Sequence, residues 1–251
     1  MSVAVITGAT AGIGAAFARA LATEGYDLVL VARDGARLAT FAGELSGRHG
    51  VTATPLVADL TTPDGRATVE ARLSDPTAPV DLLVNNAGMT LKRSLLSASP
   101  DELDQLLTLN VGALQRLTRA VLPGMVERRS GDVVNVSSVA GFVTQPGSTY
   151  PASKAWVTNF SESTGLAVQR YGVRVMALCP GYTRTEFHER AGIDARKIPG
   201  WLWLSADDVV RTGLRDLRRG RSVSVPDWRY KTAVFGARYG PRWLMRRARR
   251  R

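Results

Sequence analysis

Thr7-Gly8-Ala9-Thr10-Ala11-Gly12-Ile13-Gly14 follows directly on the aliphatic run Val3-Ala4-Val5-Ile6, and a helix-period segment continues from Ile13 to Thr23. Strand, glycine turn and helix in immediate succession open a βαβ unit. Gly8 permits the tight exit from the strand, and Gly12 lets backbone approach a pyrophosphate. Gly14 lets the next helix sit close to the sheet with its N-terminus toward phosphates. Three glycines alone occur in many turns; their place between a first strand and a first helix makes this stretch informative.

Outward from there, strand-like runs at residues 28–32, 51–57, 81–84, 132–137, 174–178 and 222–225 alternate with helix-length segments. Leu38, Phe41, Ala42 and Leu45 recur at helical spacing within 34–45. Thr62-Pro63 and Ser99-Pro100 each set an N-cap before a proline at the first helical position. A long helical segment is read at 101–127, another at about 149–170, and Ser205-Ala206-Asp207-Asp208 opens a late one. Asn110 and Gly112 inside the long segment predict a kink. This alternation predicts an α/β fold: a doubly wound, Rossmann-type parallel sheet of about seven strands with helices on both faces, in a single domain. The domain is read over 1–227, followed by a basic aromatic tail at 228–251.

Composition narrows the function classes. With 251 residues, 45% hydrophobic and 22% charged, the chain has apolar surface enough for a sizeable core, which excludes disorder for its bulk. No run approaches the roughly 18 apolar residues of a membrane span, and no secretory signal is visible before Val3. One cysteine, Cys179, excludes an internal disulfide framework, and two histidines, His49 and His188, leave no zinc cluster; no metal is expected. Cys179 is read as a small apolar side chain. The expected compartment is cytoplasmic, with peripheral contact at the inner membrane surface left open. The formal charge of +11 is local: residues 211–251 carry 14 basic against two acidic residues, and the remainder sits at −1.

The T-G-x-x-x-G-x-G turn resembles that of the short-chain dehydrogenase/reductase family, and further family motifs recur in order over roughly residues 3–190. Asp59-Leu60 follows the third strand, Asn85-Asn86-Ala87-Gly88 the fourth, and Asn110 lies in the long helix. Ser137-Ser138 ends the fifth strand, Tyr150-Pro151-Ala152-Ser153-Lys154 supplies Tyr-x-x-x-Lys, and Pro180-Gly181 closes the sixth. The resemblance implies an NAD(P)-dependent oxidoreductase with Asn110, Ser138, Tyr150 and Lys154 as catalytic residues. It implies cofactor contacts from Gly8, Thr10, Gly12, Ile13, Gly14, Arg33, Asp59, Leu60, Asn86, Ala87, Gly88, Tyr150, Lys154, Pro180, Gly181, Thr183 and Thr185. Lys154 would also hold the nicotinamide ribose, Asp59 the adenine amino group and Thr185 the carboxamide. For Asp59 a local bond at the Thr61-Thr62-Pro63 helix start is the alternative, and both roles can coexist on different atoms. A homo-oligomer, dimer or tetramer, is implied likewise.

The Tyr150/Lys154 spacing also has its own physics. Four residues apart on a helix, the two share a face. An ammonium beside a phenol favours phenolate and is expected to lower its pKa from about 10 toward the working pH. Such a group exchanges a proton with a carbonyl or alcohol oxygen while Ser138 hydrogen-bonds the same oxygen. An isolated pair of this kind is ordinarily just a surface pair; Ser138, Asn110 and the glycine turn change that balance. Pro151 is harmless if the helix starts near Ser148, because a proline in the first turn removes only an orphan N–H.

Cofactor choice rests on Leu30-Val31-Ala32-Arg33-Asp34. An acid at the end of the second strand would favour NAD; Ala32 stands there with Arg33 next, so NADP(H) is preferred over NAD(H). Asp34 is either that acid or the N-cap of the next helix. The stretch at about 185–204, with Phe187, Ile193, Ile198, Trp201, Leu202, Trp203 and Leu204, corresponds to the family's substrate lid, and its apolar character points to a small lipophilic carbonyl/alcohol pair. His188 lies in it as a substrate contact or a surface group. The tail interleaves Trp228, Tyr230, Phe235, Tyr239, Trp243, Leu244 and Met245 with arginines, a pattern suited to an anionic membrane surface, to a solvated terminus or to an oligomer contact. No specific nucleic-acid partner is expected. The alternative function is a catalytically idle family member that binds a membrane surface or a partner through this tail.

Overall fold

Successive side chains of a strand point to opposite faces, so a strand buried on both sides must be apolar throughout. β1 (Val3–Thr7) obeys this: Ala4 and Ile6 join one core, and Val5 joins the other. The computed structural model describes residues 2–187 and 198–239. After β1 come α1 (Gly12–Thr23), β2 (Asp27–Ala32), α2 (Gly35–His49), β3 (Ala53–Val57), α3 (Pro63–Ser74) and β4 (Leu82–Asn85). The second half holds α4 (Pro100–Leu107), α5 (Leu114–Glu127), β5 (Gly131–Val136), α6 (Thr149–Val168) and β6 (Val173–Leu178). It closes with α7 (Ala206–Arg218), β7 (Val223–Ser224) and α8 (Trp228–Tyr239).

All strands pair in parallel in the order β3-β2-β1-β4-β5-β6-β7, the seven-stranded doubly wound sheet expected. One core packs Phe17 and Leu21 of α1, Leu38 of α2 and Val209 of α7 on the sheet; the other packs Val69 of α3 and Leu117, Val121 and Met125 of α5 on the opposite face. Strand order reverses between β1 and β4, so a crevice opens beyond their carboxyl ends.

Local signals account for most element boundaries. Thr62 and Ser205 accept from the third backbone N–H after each, and Ser99 and Glu102 form a reciprocal capping box. Pro55 sits in β3, which among the described strands pairs only with β2, so its missing N–H costs no ladder bond. The long helix read at 101–127 is interrupted: the kink expected at Asn110 is a π-helical turn, Thr108–Ala113, between α4 and α5. β7 is two residues rather than four, and β3 starts two residues later than read.

The stretch read as a tail begins as α8, and Tyr230 is 7% exposed within the core. Residues 240–251, with Arg242, Trp243, Leu244, Met245 and the terminal arginines, lie outside the described residues, as do His188 and Ile193 of the lid. Among the described residues no helix is long and apolar enough to cross a membrane. No cluster of three or more His, Cys, Asp or Glu side chains suited to a metal ion occurs among them either.

Phe17 is fully buried between α1 and the sheet. Phe17→Ala is expected to cost about 3–5 kcal/mol in urea unfolding. Leu166→Ala, at a 69% exposed position, should stay within about 0.5 kcal/mol.

Candidate active site

Two turns meet at the sheet's switch point. The Thr7 hydroxyl accepts from the backbone N–H groups of Asn86 and Ala87, each at 3.0 Å. The Asn86 side-chain amide donates back to the carbonyls of Thr7 at 2.9 Å and Gly8 at 3.1 Å. Gly8 and Gly12 take φ of 63° and 53°, a region side chains disfavour. A Cβ on Gly14 would fall 2.2 Å from the Gly8 carbonyl oxygen, so the start of α1 lies against the end of β1 as the motif predicts. Ala11, the N-cap of α1, offers no side-chain acceptor, which leaves the N–H groups of the first turn for an anion. Thr185 lies over this turn: its methyl would be 2.7 Å from a Cβ on Gly12.

The adenosine side is built from β2 and β3. Ala32 is the last residue of β2, Arg33 follows, and Asp34 caps α2 by accepting from the Arg37 N–H at 3.0 Å. Asp59 accepts from the backbone and hydroxyl of Thr61 at 2.9 and 2.7 Å. Partial burial raises its pKa, but the Thr61 donors and the Arg33 charge outweigh this and hold the carboxyl below the usual range. Leu60 is core.

At the other end, α6 starts at Thr149 with Ser148 as N-cap, so Pro151 falls where no helical N–H is missed. One turn separates Tyr150 from Lys154, and the ammonium nitrogen is 5.7 Å from the phenol ring centre. Lys154 is buried and donates to the Val136 carbonyl at 2.8 Å. The Ser138 hydroxyl accepts from the Ala140 N–H at 3.1 Å and lies near enough to Tyr150 to favour its phenolate. Ser137 is turned the other way, its hydroxyl donating to the Lys154 carbonyl at 2.7 Å and contacting Thr158. Asn110, held in the π turn, donates to the Met89 carbonyl and to Ser153 and accepts from the Met89 N–H at 2.8 Å. A Cβ on Gly88 would be 3.2 Å from the Asn110 oxygen and 3.5 Å from the Lys154 nitrogen, so both groups reach that turn.

One electrostatic expectation is corrected. Desolvation pushes Tyr150 up to about 12, against the opposing effect of Ser138; Lys154 does not lower it. Lys154 itself is pulled down to about 8 by burial. The ammonium points to a carbonyl of β5 rather than to the phenolic oxygen, and two groups removed from water each shift toward neutrality. Cys179, pushed up to about 11 by burial, is a neutral thiol in the core.

Not every sequence candidate reaches the crevice in the same way. Thr183 is 3% exposed, donates to the Gly181 carbonyl at 3.0 Å and bridges to Leu204. Pro180 accepts from the Val139 N–H at 3.0 Å. Phe187 brings the start of the lid to Tyr150, with ring centres 5.9 Å apart. Glu186 pairs with Arg37 of α2. Sequence reading missed Thr7 as the clamp between turns, and Ser153, which accepts from Asn110 and donates to the Tyr150 carbonyl. It also missed the buried row Asn85–Asn135–Ser161 beneath the site. The signal for that row was available: asparagines inside two apolar strand runs, which turn out to be register partners.

The protein-family model described as short chain dehydrogenase matches residues 2–195. The chain is 38% identical to oxidoreductase UcpA of Escherichia coli (strain K12) over 188 residues, covering 74% of this chain and 71% of that one. Among solved structures it is similar to a short-chain dehydrogenase from Sphingobium yanoikuyae in complex with NADPH, with TM-score 0.88, 38% identity and coverage of 96% and 94%. It is also similar to a bulky-bulky ketone specific alcohol dehydrogenase from Comamonas testosteroni, with TM-score 0.83, 32% identity and coverage of 96% and 93%.

Burial of Lys154 has a consequence for pH. Below about pH 8 the lysine is protonated in both states, and the native state carries the cost of a buried ammonium. Between about 8 and 10.5 the unfolded chain holds the extra proton, so this group's contribution to stability rises with pH. The stability difference between Lys154→Met and wild type in urea unfolding should therefore shift in favour of wild type as pH rises through that window. A difference independent of pH would contradict the burial.

Proposed function

The chain belongs to the short-chain dehydrogenase/reductase family and is an NAD(P)-dependent oxidoreductase; we propose that it prefers NADP(H) and acts on an apolar ketone, aldehyde or secondary alcohol. The observation that carries this reading is the grouping of Ser138, Tyr150 and Lys154, with Lys154 also reaching the Gly88 turn. The nicotinamide, when bound, supplies or accepts the hydride. Tyr150, held protonated by desolvation, donates its phenolic proton to the carbonyl oxygen during reduction and takes it back during oxidation. Ser138 donates to the same oxygen, where negative charge develops. Lys154, whose ammonium is bonded to the Val136 carbonyl, would hold the nicotinamide ribose, while Asn110 fixes the Met89 segment.

The cofactor preference rests on Arg33 following β2 and on Asp34 being engaged as a helix cap. A guanidinium favours a 2′-phosphate over a hydroxyl pair, and the Sphingobium yanoikuyae relative carries NADPH. Gly8, Gly12, Gly14, Asn86 and Gly88 would line the cofactor's path, with Thr185 over the turn. The substrate reading rests on Phe187 beside Tyr150 and on Tyr182 against Trp203, ring centres 5.9 Å apart. The Comamonas testosteroni relative is specific for bulky ketones. A homo-oligomer belongs to the same proposal.

A second reading, peripheral contact with an anionic membrane, is favoured by α8. Trp228 and Phe235, 71% and 67% exposed, stand seven residues apart on one helical face beside Lys231 and Arg238. The rival of an idle family member makes the opposite kinetic prediction to the enzyme.

NADPH oxidation should depend on an added lipophilic ketone, and Tyr150→Phe should lower kcat by about 10²–10⁴-fold while NADPH still binds. Cofactor binding without turnover on any carbonyl would favour the idle reading. Arg33→Ala should erase the preference for NADPH over NADH, lowering NADPH affinity by about tenfold, the loss of roughly one charged hydrogen bond. Vesicles containing phosphatidylserine should retain the wild type more than a Trp228→Ser/Phe235→Ser variant; equal retention ends the membrane reading.

A further inference from the structure

The C-terminal helix reaches the substrate end of the site through one side chain. Tyr230, on the inner face of α8, has a hydroxyl that accepts from the Tyr182 N–H at 3.1 Å and donates to the Leu202 carbonyl at 2.7 Å. Its ring lies flat against the Gly181 backbone: a Cβ there would fall 2.1–2.5 Å from three ring carbons. The same helix packs on the turn Val139–Phe142 that follows Ser138. The neighbouring Arg229 is bonded to the Trp201 carbonyl.

These contacts extend a ladder that already joins the turn after β6 to the returning lid. The lid leaves the sheet after Thr183 and returns at Leu204, where its base is a short ladder. The Leu204 N–H donates to Tyr182 at 2.8 Å, and the Arg184 N–H donates to Leu204 at 3.0 Å. Beyond that ladder, at Leu202, the returning lid is tied to the turn after β6 through the Tyr230 oxygen. That oxygen acts as donor and acceptor at once, which only a protonated phenol can do. Desolvation keeps it so, holding its pKa above the ordinary tyrosine value. The ring alone fills the core volume; the hydroxyl adds the two hydrogen bonds that tie Tyr182 to Leu202.

We infer that Tyr230 is a positioning residue for substrate binding: by holding the Gly181-Tyr182 turn to the returning lid at Leu202, it sets the width of the substrate end of the crevice. The kinetic part rests on the proposed ketone-reducing reading. Tyr230 itself touches neither the reacting atoms nor Tyr150; it acts through Tyr182 and the lid.

Tyr230→Phe in the full chain separates this role from packing, because the ring stays and the hydroxyl goes. In enzyme without cofactor, hydrogen exchange at the Tyr182 and Leu204 amides should speed up by about tenfold, as expected when one net hydrogen bond is lost. With NADPH and a bulky aryl ketone, KM should rise by about five- to tenfold while kcat and the NADPH Kd stay within twofold. Unchanged exchange at those amides overturns the inference, and so does an unchanged KM. A lower Tm accompanied by equal losses of ketone and NADPH affinity also overturns it, since that pattern marks a residue of the core only. If the wild type reduces no ketone, the functional reading fails, and the exchange measurement still decides whether the hydroxyl holds the two segments.

Discussion

Reversal of strand order between β1 and β4 leaves two turns side by side with backbone groups that no ladder can satisfy. The exchange between Thr7 and Asn86 answers this constraint: one hydroxyl takes two N–H groups, and one amide gives to two carbonyls. The glycine turn is thereby held open, with the first turn of α1 aimed across it and Gly14 packed against Gly8. Every other feature of the crevice is measured from that clamp. Thr185 lies on Gly12 from one side, and Asn110 and Lys154 approach Gly88 from the other.

Desolvation shapes the opposite end. Lys154 is buried against a strand carbonyl with no carboxylate partner among the described residues, and Tyr150 is kept protonated. A neutral phenol is the form that donates to a carbonyl oxygen, so the shift away from phenolate is compatible with the proposed reduction. The buried row Asn85–Asn135–Ser161 lies under these residues and ties β4, β5 and α6 together. Such a row specifies register, because a slip by one residue would strand its amides in an apolar core.

The lid and the last helix form a third unit. The segment from Thr185 to Phe187 runs from the glycine turn to Tyr150, and the return through Trp201 to Leu204 is anchored on α8. The end of the described chain therefore contributes to the wall of the site and not to charge alone. The outer face of α8 keeps Trp228 and Phe235 at the surface while Tyr230 faces inward, so one helix serves two environments.

Much of this was legible beforehand because it is local. Strand runs, the Thr62, Ser99 and Ser205 caps, the glycine turn and the Tyr150/Lys154 spacing are all set within a few residues by dihedral preference and helical period. They determined the seven-stranded parallel fold and set Tyr150 and Lys154 one turn apart on α6. Other features depend on contacts between residues far apart in sequence. The π turn at Asn110 follows from its bonds to Met89 and Ser153, and the choice between Ser137 and Ser138 from which one α6 covers. The pKa of Tyr150 follows from how much water the fold removes around it. A stretch rich in arginine and aromatics looks like a tail in one dimension. Only packing shows that Tyr230 is inside, because burial belongs to the assembled surface and not to the residue.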